Sequence, residues 1–305
     1  MGGCPPGVPA MRAFQPRQEI DSATTYGAAA GDLGSGIRWA GRLMGLLSRF
    51  RTHRVRSRDA SVDVSEKDGI RSLHLGSDTI QSSMRVDDPV ELVLSYTRSM
   101  MAFLLFHPDP RDVVMIGLGG GSLAKFAYHR LPRARVRVVE NSAQVIGVAR
   151  SLFAVPADDE RFEVVLDDGA SYVRALPVGC DVLMVDAYDG EAQVEDLASE
   201  GFYTDACAAL SRDGVLVVNL WSSDSRYDAY LQRIERAFGG QVVCLPAERR
   251  GNVAVIAFRR RPLLTRWDQL DARAKTLEAA LGLEFRRFVE RIREMNPHTD
   301  NRLIV

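Results

Sequence analysis

The run Val113-Val114-Met115-Ile116-Gly117-Leu118-Gly119-Gly120-Gly121-Ser122 passes from an apolar strand pattern into glycines and then into a helical pattern, and Glu140 follows nineteen residues after Gly121. Glycines at such a junction let the backbone turn sharply and approach a ligand. A carboxylate at the tip of the next strand accepts hydrogen bonds from the two hydroxyls of a ribose. Gly117, Gly119, Gly121 and Glu140 therefore read as a nucleoside site. Asp168-Gly169 closes the third strand of the same pattern, where an acid accepts from an adenine amino group or simply turns the chain. The fourth strand releases Val185-Asp186-Ala187-Tyr188-Asp189-Gly190, two carboxylates three residues apart in a glycine-containing loop. Paired acids there suit the binding and deprotonation of an amine. A solvated loop is the plainer reading.

These residues need an open α/β sheet to bring them together. Strand patterns at 112–117, 135–140, 162–166, 181–186 and 214–220 alternate with helical patterns near 122–131, 142–153, 170–175, 199–210 and 224–238. Two further strands, 241–246 and 252–259, are close enough to pair antiparallel. The expected fold is α/β, a doubly wound and mainly parallel sheet with a C-terminal antiparallel hairpin. Upstream, short alternating segments at 61–66, 70–75 and 79–83, separated by Lys67-Asp68-Gly69 and Gly76-Ser77-Asp78, predict a small N-terminal antiparallel β-sheet. Asp87-Asp88-Pro89 then reads as the cap of a buried helix running from Val90 to Phe106.

The expected organisation is an N-terminal extension over 1–58, the small sheet over 59–86, the nucleoside-binding domain over 87–262 and a C-terminal helical segment over 263–305. The extension is rich in Gly, Pro, Ala and Ser up to residue 36 and then places apolar residues at helical spacing among arginines. That basic helix reads as a membrane or nucleic-acid contact, as an oligomer contact, or as a leader upstream of a start at Met44.

Charge is unevenly distributed. Residues 1–58 hold nine arginines and three acids, a local +6, while the remainder of the 305-residue chain carries 30 bases and 37 acids, −7. An acidic body suits a small cationic substrate and argues against a nucleic-acid partner. The four cysteines, Cys4, Cys180, Cys207 and Cys244, have neither disulfide nor metal spacing, which points to a reducing cytoplasm. His74, His107 and His129 match no metal-ligand pattern, so no metal is expected. No run reaches the roughly 18–20 uninterrupted apolar residues of a transmembrane segment.

The glycine run is not the full G-x-G-x-x-G of dinucleotide enzymes, because its sixth position is Ser122. Such enzymes lay a pyrophosphate on the helix N-terminus. S-adenosylmethionine sites use the same turn for a sulfonium-bearing nucleoside, and the terminal hairpin fits their Rossmann-like methyltransferase-type fold better.

From about Ser61 to Arg259 the chain resembles the spermidine/spermine synthase (polyamine aminopropyltransferase) family. The resemblance rests on Leu73-His74-Leu75, Ile80-Gln81-Ser82-Ser83, His107-Pro108-Asp109-Pro110, the glycine run, Glu140, Asp168-Gly169, Asp186 with Asp189, Gly201-Phe202-Tyr203 and Asp213-Gly214-Val215-Leu216, in family order. It implies transfer of an aminopropyl group from decarboxylated S-adenosylmethionine to a diamine such as putrescine, with no tightly bound cofactor and a homodimer or homotetramer. It further implies that Asp186 accepts the proton, that Asp189 contacts the amine, that Glu140 binds the ribose and Asp168 with Gly169 the adenine, and that Gln81 lines the shared pocket. Three family positions differ. Gly120 stands where the family has an aspartate, Val90 where it has a tyrosine, and Glu248-Arg249-Arg250 where it has another. Glu91 and Tyr188 are the expected substitutes at the substrate end. An S-adenosylmethionine-dependent methyltransferase, or a non-catalytic nucleoside-binding relative, is the alternative on this scaffold.

Overall fold

A computed structural model describes residues 51–55, 62–76, 79–189, 192–248 and 251–305. Four antiparallel strands come first, β1 (Arg51–Val55), β2 (Val62–Lys67), β3 (Ile70–Leu75) and β4 (Ile80–Arg85), adjacent in that order. The small sheet is thus present with one more strand than expected. The basic helix read over 37–58 does not extend through Arg51–Val55, which pairs along β2 from Arg51 opposite Glu66 to Val55 opposite Val62. The edge of β2 would otherwise present unpaired backbone groups, and this segment satisfies them. The remainder of that helix and the segment before it lie outside the described residues.

The stretch from 87 to 106 also departs from expectation. Only Ser95–Met100 is α-helical (α1), and a tighter 3₁₀ turn, Met101–Leu105, follows. Asp88 caps a turn instead of a helix: its carboxylate accepts from Val90 N at 3.3 Å and its carbonyl from Glu91 N at 3.2 Å. Asp-Pro opens turns as readily as helices, and here residues 89–90 turn and Leu94, the residue before α1, is extended (φ −81°, ψ 132°).

The main sheet collects β5 (Asp112–Ile116), β6 (Arg135–Glu140), β7 (Phe162–Leu166), β8 (Cys180–Val185), β11 (Leu210–Trp221), β12 (Val242–Pro246) and β13 (Asn252–Phe258); β9 (Tyr188–Asp189) and β10 (Ala192–Gln193) form a separate two-stranded ribbon. Its order is β12-β13-β11-β8-β5-β6-β7, parallel from β7 through β11, with β13 antiparallel to both of its neighbours. The doubly wound sheet and terminal antiparallel pair match the expectation from sequence. Between the strands run α2 (Ser122–Arg130), α3 (Ala143–Leu152), α4 (Gly169–Ala175), α5 (Glu200–Ala209) and α6 (Tyr227–Ala237), and α7 (Trp267–Leu281) and α8 (Phe285–Met295) close the chain.

Side chains alternate across the pleat, so each strand feeds two cores. Val113, Met115, Val182 and Met184 join Phe103 and the C-terminal Trp267, Phe285, Phe288 and Ile292 on one face. Val114, Ile116, Leu183 and Val185 join Phe202, Ala206 and Ile234 on the other. A third cluster, Val62, Val64, Leu73 and Met84 with Val145, Val148 and Phe153, packs the small sheet on α3. Strand order runs outward from β5 to β6 and β7 on one side, and to β8 and β11 on the other. The carboxyl ends of β5 and β8 therefore sit at the point where the connections diverge, which is where open α/β sheets bind ligands.

Candidate active site

The β5 and β8 tips touch. Asp186 N donates to Ile116 O at 3.0 Å, and Gly117 N donates to Val139 O at 2.9 Å. Gly117 has φ +95°, and a Cβ built on it would lie 2.3 Å from the Asp186 carbonyl oxygen. Only glycine fits, because its missing side chain is what lets the strand carrying Asp186 lie against the turn. Gly119 continues the turn along the cavity and Gly121 ends it as the residue capping α2. At Gly120 the constraint is space: a Cβ would lie 2.7 Å from Ser82 Oγ and 2.8 Å from the Phe153 ring.

Glu140 is buried at the tip of β6 and holds this turn in shape. Its Oε2 accepts from Leu118 N and its Oε1 from Ser142 N, both at 3.0 Å. Each carboxylate oxygen has a second lone pair, so the same group can also accept from two vicinal hydroxyls. Asp168 caps α4 by accepting from Ser171 N at 2.8 Å, and that bond with its neighbours holds its carboxyl below the usual range. It is ionised at neutral pH and still borders the cavity. Gly169 leaves room for Ile116, whose Cγ2 would lie 2.4 Å from a Cβ there.

Asp186 receives two donors. Tyr96 Oη donates to its Oδ2 at 3.1 Å and Asn219 Nδ2 to its Oδ1 at 2.9 Å; Asn252 Nδ2 in turn donates to Asn219 Oδ1 at 3.0 Å. Protein atoms crowded around the carboxylate remove most of its water and push its pKa up, against the opposing pull of the Asn219 and Tyr96 hydrogen bonds. A carboxylate held above the ordinary range, yet still reaching the cavity, is better matched to proton transfer near neutral pH than a solvated one.

Gly117, Gly119, Glu140, Asp168, Gly169, Asp186 and Gln81 all border one cavity of about 670 Å³ between the small sheet and the strand tips. Gln81 enters it from β4, and its backbone carbonyl lies 3.3 Å from Tyr96 Oη. Glu91 is not there. It is exposed and paired with Arg85, because the turn at Asp88 directs it to the surface. The Tyr188 and Asp189 side chains lie outside the described residues. Tyr96, Asn219 and Asn252 are the residues that the sequence reading missed. Asn219 did leave a signal, as a lone amide within Gly214-Val215-Leu216-Val217-Val218-Asn219-Leu220.

Among the described residues bordering the cavity, the charged ones are Glu140, Asp168 and Asp186, all acidic. A site of this kind attracts cations and repels a ligand carboxylate. Among the described residues no group of His, Cys, Asp and Glu is placed to hold a metal ion, and no helix is long and apolar enough to cross a membrane.

Residues 94–242 match the family model described as "Spermine/spermidine synthase domain". The polyamine aminopropyltransferase of Chromobacterium violaceum is 48% identical over 244 residues, covering 80% of this chain and 94% of that protein. The polyamine aminopropyltransferase of Neisseria meningitidis serogroup A is 46% identical over 238 residues, covering 78% and 90%. Among solved structures, a spermidine synthase in complex with the transition state analogue AdoDATO aligns at a TM-score of 0.58 and 23% identity, over 69% of this chain and 74% of that one; this likeness concerns the fold.

Proposed function

The chain belongs to the spermine/spermidine synthase family, and we propose that its cavity transfers an aminopropyl group from decarboxylated S-adenosylmethionine to a diamine such as putrescine. The observation that carries this reading is the charge of the cavity. Its acids suit two cationic substrates, and no described basic side chain borders it to pair with the carboxylate of intact S-adenosylmethionine. That same absence weighs against a methyltransferase.

In this reading the ribose hydroxyls rest on Glu140, whose fixed bonds to Leu118 N and Ser142 N pre-set its orientation. Asp168 and Gly169 border the base, and Gly117 and Gly119 let the sulfonium chain pass over the β5 tip. An alkyl diamine is protonated at neutral pH, and an ammonium has no lone pair to attack with. Asp186, its two oxygens oriented by Tyr96 and Asn219, takes one proton from the attacking nitrogen. The nitrogen lone pair then forms a bond to the carbon beside sulfur, the carbon–sulfur bond breaks, and its electrons neutralise the sulfonium to leave methylthioadenosine. The sulfonium is already a good leaving group, so orientation and deprotonation are what the protein adds. Asp189 is carried over from the family resemblance as the contact for the amine.

Product analysis by mass spectrometry, with decarboxylated S-adenosylmethionine and putrescine, tests this. Wild type is expected to form spermidine and methylthioadenosine. Asp186→Asn is expected to lose about 10²–10⁴-fold in kcat, the span associated with a positioned base, while binding methylthioadenosine as before. Retained turnover in that variant would remove Asp186 from the role of proton acceptor.

A further inference from the structure

We propose that Arg98 is a positioning residue for this reaction, tying the C-terminal helices to the cavity wall and thereby fixing the Tyr96 hydroxyl on Asp186. The inference rests on the reading of Asp186 as proton acceptor. Arg98 lies two residues beyond Tyr96 on α1, and its half-buried guanidinium meets four groups from three parts of the chain. Its Nη1 donates to the carbonyls of Leu92 and Val93, both at 3.1 Å. Its Nε donates to Glu284 Oε1 at 2.8 Å, and Nη2 approaches Glu248 Oε2 at 3.5 Å. The Leu92 and Val93 carbonyls precede the helix cap at Leu94, and Arg98 folds back to satisfy them.

The consequence for the site follows from what that segment carries. Val93 and Leu94 border the cavity, and Tyr96 reaches from the same segment to Asp186. The other end of the tie is firmly seated. Glu284 directly precedes α8, its carbonyl accepting from Phe288 N at 3.1 Å, and Phe285, Phe288 and Ile292 of that helix are buried in the main core. Glu248 follows β12 and is shared with Arg287 at 3.0 Å and Arg291 at 3.9 Å, both on α8. A single planar fork thus sets the distance between the folded body and a short, six-residue helix with no side-chain cap of its own. Lysine carries one compact charge and cannot hold two carbonyls and two carboxylates together.

The Tyr96 bond favours the charged form of Asp186, so loosening α1 moves the Asp186 pKa further up. The groups donating to that carboxylate are Tyr96 and Asn219; those facing Arg98 are Glu248 and Glu284, with Arg287 and Arg291 on Glu248. The test is the pH profile of aminopropyl transfer to putrescine for wild type, Arg98→Lys and Glu284→Gln, with methylthioadenosine affinity by calorimetry. Both variants are expected to lose about tenfold in kcat, a fraction of the 10²-fold that an ångström of misplacement costs. Their acidic limb is expected to move to higher pH, with nucleoside affinity unchanged. Glu284→Gln leaves Arg98 in place and keeps the test decisive should Arg98→Lys fold poorly. An unmoved limb in both variants would overturn the inference, whether or not thermal stability falls, because a purely structural brace would not retune Asp186. Absence of transfer by wild type would overturn the reading of the site itself and the inference with it.

Discussion

Gly117→Ala puts the geometry of the site under the most direct strain. The added Cβ would sit 2.3 Å from the Asp186 carbonyl oxygen and 3.0 Å from its carbonyl carbon. Carbon–oxygen contacts begin at about 3.3 Å, so the β5 and β8 tips must part by about 1 Å. Both atoms it would meet belong to backbone, so no side chain can swing away to relieve the clash. At φ +95° an L-residue also carries a conformational cost of about 1–2 kcal/mol, and parting the tips weakens the 3.0 Å bond from Asp186 N to Ile116 O, worth about 0.5–1.5 kcal/mol. The expected loss of stability is therefore about 1.5–3.5 kcal/mol, measured by urea denaturation. Turnover with decarboxylated S-adenosylmethionine and putrescine should fall by about 10²-fold, the penalty for misplacing a reacting group by that distance. Gly147→Ala is the control. It lies exposed on α3 with nothing near its would-be Cβ, and is expected to gain about 0.5–1 kcal/mol with activity intact. A Gly117→Ala protein as stable and as active as wild type would refute the argument that β5 and β8 meet across this glycine.

Three further outcomes follow from the same structure. Asn219→Ala removes a hydrogen bond that holds the Asp186 pKa down, so the acidic limb of kcat/KM is expected to move to higher pH; an unmoved limb would separate Asn219 from the proton acceptor. Because burial raises the Asp186 pKa in the folded state, ionising it costs stability as pH rises past the unfolded value. Asp186→Asn should therefore raise the Tm at neutral pH even as its turnover falls, checked by calorimetric melting. Lys125 is buried, its Nζ donates to Phe153 O at 2.6 Å, and desolvation lowers its pKa from 10.5 to about 8. The unfolded chain then binds more protons between those values, so this side chain makes stability rise with pH across that window by on the order of 3 kcal/mol. Lys125→Met should flatten the rise in denaturation curves taken from pH 7 to 10.5.

What could be read in the sequence was local. The glycine turn, Glu140 and Asp186 stand at strand ends marked by apolar runs, and a strand end in an open α/β sheet already implies a position. The second layer around Asp186 was hidden because it comes from distant parts of the chain. Tyr96 belongs to a segment whose Asp-Pro opening forms a turn here and delays the helix to Ser95. Asn219 and Asn252 meet only when β11 and β13 pair, with Asn219 opposite Ala254 and Trp221 opposite Asn252. Glu91 was misplaced for the same reason as the helix start: with the turn at Asp88, its side chain faces Arg85 and solvent. Gly120 shows the limit most plainly. In sequence it is the absence of an expected aspartate, whereas in the structure Ser82 and Phe153 already fill the space that a side chain would need.

The central claim is that an acid-lined cavity takes a cationic nucleoside without a carboxylate alongside a cationic amine. Isothermal calorimetry of the wild-type protein with decarboxylated and with intact S-adenosylmethionine tests it most directly. Tighter binding of the decarboxylated form, by about tenfold or more (1.4 kcal/mol), is the expected result. Equal affinity, or a preference for the intact form, would contradict the account.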